Sequence, residues 1–358
     1  MKIAFINLGR HYGGVEVYML SLIKAWIARG DKCVVLARNE SAFYQKLMKT
    51  GFADKVIPVD FDLQSIKDAR KKLLAEKVDI LHVNGINSGV FVSLLRLSAK
   101  CVTTVHGSVY HERADRNILV QKLFAYLEKR CLCKSTKIIS VSAAIKQILT
   151  ERGINENKIE LIYNGIEEID YEQKEKADSE LMKICMVGRL EEVKGCDYLI
   201  RALAKLKDKK VLCDIYGEGT LKEELENLAQ DLGVAGMVCF KGFSENIREV
   251  MSGYDILVQP SRFEAFPLTP LEAMNARVLL ICSDIGGMRE IVDSEENGLK
   301  FEVGNIEELS RKIIWAIEHK EEVDKMKKNA YDKFRREYTE SVMHERTFGL
   351  FERVYHEI

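Results

Sequence analysis

Residues 1–30 read MKIAFINLGRHYGGVEVYMLSLIKAWIARG. The apolar run at 3–8 suits one buried strand, Gly9, Gly13 and Gly14 break it, and apolar residues then recur at helical spacing from 17 to 29. Strand, glycine turn and helix form the first half of a βαβ unit. The alternation continues with β-branched runs at 33–37, 56–59, 80–83, 101–105, 138–141 and 159–162, with helical segments such as 66–76 between them. Continuous apolar strands flanked by helices are buried parallel strands, so a doubly wound α/β sheet is expected. The acidic stretch EEIDYEQKEKADSE at 167–180 interrupts the pattern. It restarts at 184–187, 212–216, 237–240, 256–258 and 278–282. A helix at 221–232 is expected to open on a capping box of Thr220 and Glu223, and a long helical stretch begins near residue 306.

The expected organisation is therefore an N-terminal Rossmann-like domain (1–168), a linker (169–180) and a second Rossmann-like domain (181–335), with a C-terminal helix (336–358) returning to the first. Two such doubly wound parallel-sheet domains would face a central cleft, and open α/β sheets bind ligands beyond the carboxyl ends of their strands.

Composition narrows the function. The 358 residues are 47% hydrophobic and 30% charged, ample for two cores. Lys and Arg number 54 against 55 Asp and Glu, a net charge of −1 that argues against nucleic acid as a partner held by bulk charge. No apolar run approaches the ~20 residues that span a bilayer, and the first residues turn polar too soon for a signal peptide, so a cytoplasmic location is expected. Cys33, Cys101, Cys185, Cys213, Cys239 and Cys282 lie in strand-like runs and read as buried hydrophobes. Cys131 and Cys133 lack a second Cys/His pair at zinc spacing, so no metal site is expected there. Residues 1–170 hold 26 Lys and Arg against 18 Asp and Glu, a net +8 that leaves −9 for the rest. The basic half either faces an anionic partner or carries ordinary solvated charge.

The motifs to weigh follow strands. The turn from Gly9 to Gly14 opens a helix, where backbone N–H groups attract anions; the plainer reading is a tight βα turn. It is not G-x-G-x-x-G, and no acid stands at the tip of the second strand, which weakens a dinucleotide reading. After 184–187 come Gly188-Arg189 and Lys194-Gly195, two cations that could neutralise a diphosphate. Residues 259–274 read QPSRFEAFPLTPLEAM. Here Thr269 is expected as an N-cap, Pro270 at N1 and Glu272 at N3. Glu272 either completes a capping box with Thr269 or, with Glu264 eight residues before it, grips hydroxyls of one ligand.

Taken in order, Gly13-Gly14, Thr104-Val105-His106-Gly107, Ser140-Val141-Ser142, Tyr163-Asn164-Gly165-Ile166, Gly188-Arg189 with Lys194-Gly195, Tyr216-Gly217-Glu218-Gly219 and the Glu264/Glu272 pair resemble glycosyltransferase family 4 over nearly the whole chain. The resemblance implies the GT-B fold and retaining transfer from a nucleotide-sugar donor. It implies catalytic roles for His106, beside the reacting sugar, Arg189 and Lys194, on the leaving diphosphate, and Glu264, on hydroxyls of the transferred sugar. It implies donor binding by Gly13, Gly14, Gly188, Phe243, Phe266, Pro267, Leu268, Thr269 and Glu272, with backbone at 241–244 holding the base. Arg277 and Leu279 stand where the family has a glycine and a proline, a departure that bears on the local loop shape and its backbone contacts to the donor but does not touch the charged residues.

The resulting expectation is a metal-independent hexosyltransferase without cofactor, using a UDP-sugar in preference to a GDP-sugar and a glycan or lipid-linked acceptor in cell-surface polysaccharide assembly. Residues 113–137 mix cations with Ile118, Leu119, Leu123, Phe124 and Leu127. They suit either a helix lying on an anionic membrane or a crossover helix with its apolar side on the sheet and its basic side in water. The alternatives in function are a sugar-nucleotide-binding module without catalysis and a GT-B sugar-nucleotide epimerase.

Overall fold

A computed structural model describes residues 1–10, 13–107, 118–171, 181–244 and 246–357 of the chain. It divides into two compact units, Met1–Asn164 with Glu340–Ile358, and Gly165–Thr339. The first divide falls four residues before the expected position, and most of the expected linker, 172–180, lies outside the described residues.

Seven parallel strands build the first unit: β1 (Lys2–Asn7), β2 (Lys32–Arg38), β3 (Val56–Val59), β4 (Ile80–Asn84), β5 (Lys100–Val105), β6 (Lys137–Ser140) and β7 (Ile159–Leu161). Their order is β3-β2-β1-β4-β5-β6-β7. The second unit has β8 (Met182–Val187), β9 (Val211–Tyr216), β10 (Val238–Gly242), β11 (Ile256–Gln259), β12 (Leu279–Ser283) and β13 (Leu299–Phe301), in the order β10-β9-β8-β11-β12-β13. Each sheet thus winds one way from its first strand and the other way from its fourth. The two directions part between β1 and β4 and between β8 and β11, the switch points where α/β sheets receive ligands. Strand β13 was not among the expected runs, because Lys300 interrupts its three residues.

Burial follows the sequence pattern. Ile3, Ala4, Phe5 and Ile6 are fully buried because helices cover both faces of the sheet. The C-terminal helix Glu340–His356 belongs to the first unit, where Phe351 stands edge-on to Phe5 at 6.4 Å and Phe348 to Trp26 at 4.9 Å. Among the described residues no helix is long and apolar enough to cross a membrane.

Three local expectations change. Cys239 is exposed and Cys101 half-buried, because β10 is an edge strand with alternate residues in solvent and β5 begins at the rim of its sheet. The helix after β9 runs Lys222–Asp231 without a side-chain cap, so the box of Thr220 and Glu223 does not form. The helix Ile118–Lys134 turns only part of its apolar residues inward: Ala125 and Leu132 are buried and Phe124 and Leu127 half-buried, whereas Ile118, Leu119 and Leu123 are exposed.

Candidate active site

In the second unit, three loops meet at the switch point. The loop after β8 carries Lys194 and then Gly195, whose φ is +64°. A Cβ at Gly195 would lie 2.1 Å from the carbonyl oxygen of Pro260, so only glycine lets this loop close on the one after β11. The third loop, after β12, brings Gly286 and Gly287, where a Cβ would come within 2.1 Å of the carbonyl oxygens of Glu264 and Ala265 respectively.

This packing joins Lys194 to Glu264, with Nζ 2.6 Å from Oε1 and side chains 18% and 9% exposed. The same Oε1 accepts from Ser261 Oγ at 2.7 Å and from Gln259 Nε2 at 3.4 Å. Arg262, next along, makes a two-pronged contact to Asp197 at 3.0 Å and lies 4.2 Å over the Tyr198 ring, which anchors the loop from its other side. Glu264 is thereby fixed by a cation and a hydroxyl, leaving its carboxylate able to accept further hydrogen bonds from a polyol.

Glu272 lies in the helix Thr269–Asn275, and its Oε1 accepts from Arg248 Nε at 3.3 Å. Burial pushes this carboxyl up, and Arg248 opposes the shift. Thr269 is the first helical residue rather than the cap, Pro270 follows it, and no side chain caps the helix. A charge-assisted contact with Arg248 holds Glu272 where a capping box was expected. Arg189 does not join the Lys194–Glu264 pair: its side chain is 69% exposed and binds Glu191 at 2.7 Å. Phe243 is 70% exposed beyond β10, whereas Phe266 is buried edge-on to Tyr338, which leaves Phe266 only its backbone for a ligand.

In the first unit, β1 ends at Asn7, whose Nδ2 donates to Glu16 Oε1 at 2.9 Å and whose Oδ1 accepts from the Gly9 N–H at 3.1 Å. Glu16 Oε2 accepts from the Gly13 N–H at 2.8 Å. The buried carboxylate thus pins the glycine turn, with Gly14 opening the helix Gly14–Ala28. His106 follows β5; its Nε2 lies 2.8 Å from Asn84 Oδ1 and its ring 4.7 Å from that of Tyr18. Burial pulls the His106 pKa down to about 3, so the imidazole is neutral near pH 7. With Nε2 donating to Asn84, Nδ1 is left as an acceptor. His106, Gly107 and Thr104 border a pocket of 110 Å³, with Gly85 and Glu128 on its other sides. Among the described residues no group of three or more His, Cys, Asp or Glu side chains could hold a metal ion.

The model of glycosyl transferases group 1 matches residues 167–333, and that of glycosyltransferase family 4 matches residues 12–168. An uncharacterised glycosyltransferase of Methanocaldococcus jannaschii is 30% identical over 74% of this chain and 72% of its own. The chain belongs to the family 4 glycosyltransferases. It spans 47% of another glycosyltransferase of that archaeon, to which it is 32% identical over 46% of its own length. It is 26% identical, over 72% of its length and 71% of the relative's, to the UDP-Gal:alpha-D-GlcNAc-diphosphoundecaprenol alpha-1,3-galactosyltransferase of Escherichia coli. In fold it matches Anabaena HepE, crystallised with UDP, at a TM-score of 0.85 with 19% identity, covering 99% of this chain and 100% of that one. The two Rossmann-like sheets of this glycosyltransferase are those of the GT-B fold.

Glu16, Ser261, Gln259 and Arg248 join these sites without having stood out in the sequence. Only Glu16 had a usable signal: an acid three residues after Gly13, the spacing at which a side chain reaches back to the start of its helix.

Proposed function

We propose that this glycosyltransferase moves a hexose, with retention at the anomeric carbon, from a nucleoside-diphosphate sugar to a glycan or lipid-linked acceptor during assembly of a cell-surface polysaccharide. The observation that carries the reading is the Lys194–Glu264 pair, 2.6 Å apart at the switch point of the second sheet. Breaking the bond from C1 to the leaving oxygen puts negative charge on the β-phosphate and positive character on the sugar ring. Lys194 meets the first charge. Arg189, free to leave its exposed contact with Glu191, reaches for the same phosphates. A fixed donor aimed at developing charge is worth about 3–4 kcal/mol. Glu264 accepts hydrogen bonds from hydroxyls of the transferred sugar, and Glu272 from those of the ribose. Gly13, Gly14 and Gly188 let backbone approach the donor, with Phe243 and the backbone of Phe266, Pro267, Leu268 and Thr269 completing its site. His106, neutral, offers a hydrogen-bond acceptor to the sugar.

UDP is favoured over GDP as the carrier because HepE was crystallised with UDP and the Escherichia coli relative is named for a UDP-sugar. That relative's name also supports a lipid-linked acceptor. With Lys194 and Arg189 supplying positive charge, transfer proceeds without a divalent cation, and the chain works in the cytoplasm.

The test is a panel of UDP- and GDP-hexoses scored for released diphosphate and for the anomeric configuration of the product. Glu264→Gln is expected to lower transfer at least about a hundredfold while calorimetry finds UDP affinity within about threefold, since the lost contacts serve the sugar. Chelation with EDTA should leave the rate unchanged. A Glu264→Gln enzyme turning over like the parent, or an inverted product, would reject the mechanism.

A further inference from the structure

Strand β11 is buried along its whole length, and Ile256, Leu257 and Val258 are what such a strand requires. Gln259 is not. It is 1% exposed, and Ser261, two residues on, is 0% exposed. Polar side chains at this depth need partners, and these two find theirs in each other and in Glu264. Gln259 Nε2 donates to Ser261 Oγ at 3.1 Å and, more weakly, to Glu264 Oε1 at 3.4 Å. Ser261 Oγ donates to the same Oε1 at 2.7 Å. Stability alone does not favour this arrangement. Turning the amide N–H groups toward the carboxylate leaves Gln259 Oε1 buried with no partner among the described residues. An apolar side chain of that size would avoid the cost.

The network is one-sided. Lys194 Nζ, at 2.6 Å, is the third donor on Oε1, and among the described residues Oε2 receives none. A carboxylate oxygen has about two lone-pair directions, so three donors saturate Oε1. A hydroxyl held by Glu264 therefore bonds to Oε2. The three donors differ in stiffness. Lys194 ends a flexible four-carbon stem and is also the cation that meets the diphosphate. Ser261 and Gln259 are short, fully buried side chains at the end of a core strand, so the rigid part of the grip on Oε1 is theirs.

We propose that Ser261, seconded by Gln259, is a positioning residue for transfer: its hydroxyl holds Oε1 of Glu264 so that Oε2 meets the hexose of the donor. The proposal rests on the reading of Glu264 as the group that binds the transferred sugar, and the two fail by different outcomes.

Calorimetry of the full chain with UDP, UDP-glucose and UDP-galactose, together with UDP release from each sugar nucleotide, tests it. Ser261→Ala removes one hydroxyl. It should lower UDP release at least about tenfold and affinity for the UDP-hexose that the parent binds at least about threefold, while UDP affinity stays within about twofold. Gln259→Leu, the second variant should the first fail to fold, is expected to lower release about threefold without lowering the urea midpoint, because the unpaired oxygen goes with the amide. A group that only held the loop together would lose stability along with activity. In a Glu264→Gln background Ser261→Ala should cost less than about twofold more, since residues that act as a unit do not add. The proposal is overturned, with the role of Glu264 left standing, by a Ser261→Ala enzyme that releases UDP at the parent's rate, that loses UDP and UDP-hexose affinity equally, or whose loss multiplies in full with that of Glu264→Gln. A chain that binds no UDP-hexose, or a Glu264→Gln enzyme that turns over like the parent, rejects the reading of Glu264 itself and the proposal with it.

Discussion

Arg277 sits at φ +56°, in the left-handed region where a side chain collides with its own backbone and glycine does not. Arginine, where the family has a glycine, thus holds a backbone conformation that glycine would adopt without strain. Its guanidinium rests 4.2 Å over the Tyr331 ring, an attraction that offsets the strain. Arg277→Gly relieves the strain but loses the ring contact, so stability should stay within about 0.5 kcal/mol. Arg277→Val keeps the strain, adds a β-branch and loses the contact, and should cost about 1–2 kcal/mol in urea denaturation. At the residue scale the sequence shows Glu264 and Lys194 as types at positions. It does not show that they touch, because 70 residues separate them and the contact depends on Gly195 tolerating the Pro260 carbonyl. It placed Arg189 with them, and the side chain instead points to solvent beside Glu191.

At the scale of elements, every described strand of five or more residues was legible, most of them because a buried parallel strand announces itself as an unbroken apolar run. The helix boundaries were less so: both expected capping boxes fail, at Thr220 and Thr269, since a Thr-x-x-Glu spacing has no power over where the preceding loop lets the first turn begin. The C-terminal helix Glu340–His356 shows how much one element can contribute to a distant core. Phe351 is fully buried among Phe5, Trp26 and His82. Phe351→Ala should destabilise the chain by about 3–5 kcal/mol, read from the urea midpoint, as a cavity of that size cannot collapse between a sheet and a helix. A smaller loss would mean that the helix is only loosely seated.

At the scale of the whole molecule, each unit carries its own core and its own titration. In the first, His82 and His106 are both pulled down to about 3, His82 by burial and then by His106, and His106 by burial. Above an unfolded pKa of about 6.5 both imidazoles are neutral in either state, and stability does not depend on them. Below it the unfolded chain takes up protons that the folded chain refuses. Stability should therefore fall as the pH drops from 6.5 toward 3, by up to about 1.4 kcal/mol per pH unit for each imidazole. Urea midpoints at pH 7.5, 6 and 5 check the sign; a midpoint that rises on acidification would refute it. What the sequence determined by itself is the succession of strands and helices, two sheets in place of one, and the residue types at the strand ends, because apolar period and glycine placement act over a few residues. What only the tertiary structure decided is which of those residues meet: Lys194 with Glu264, Arg248 with Glu272, Glu16 with the glycine turn, and the side of the helix Ile118–Lys134 left in water. Those outcomes depend on close approach between segments far apart in the chain, and no local pattern encodes the distance at which two backbones come to rest.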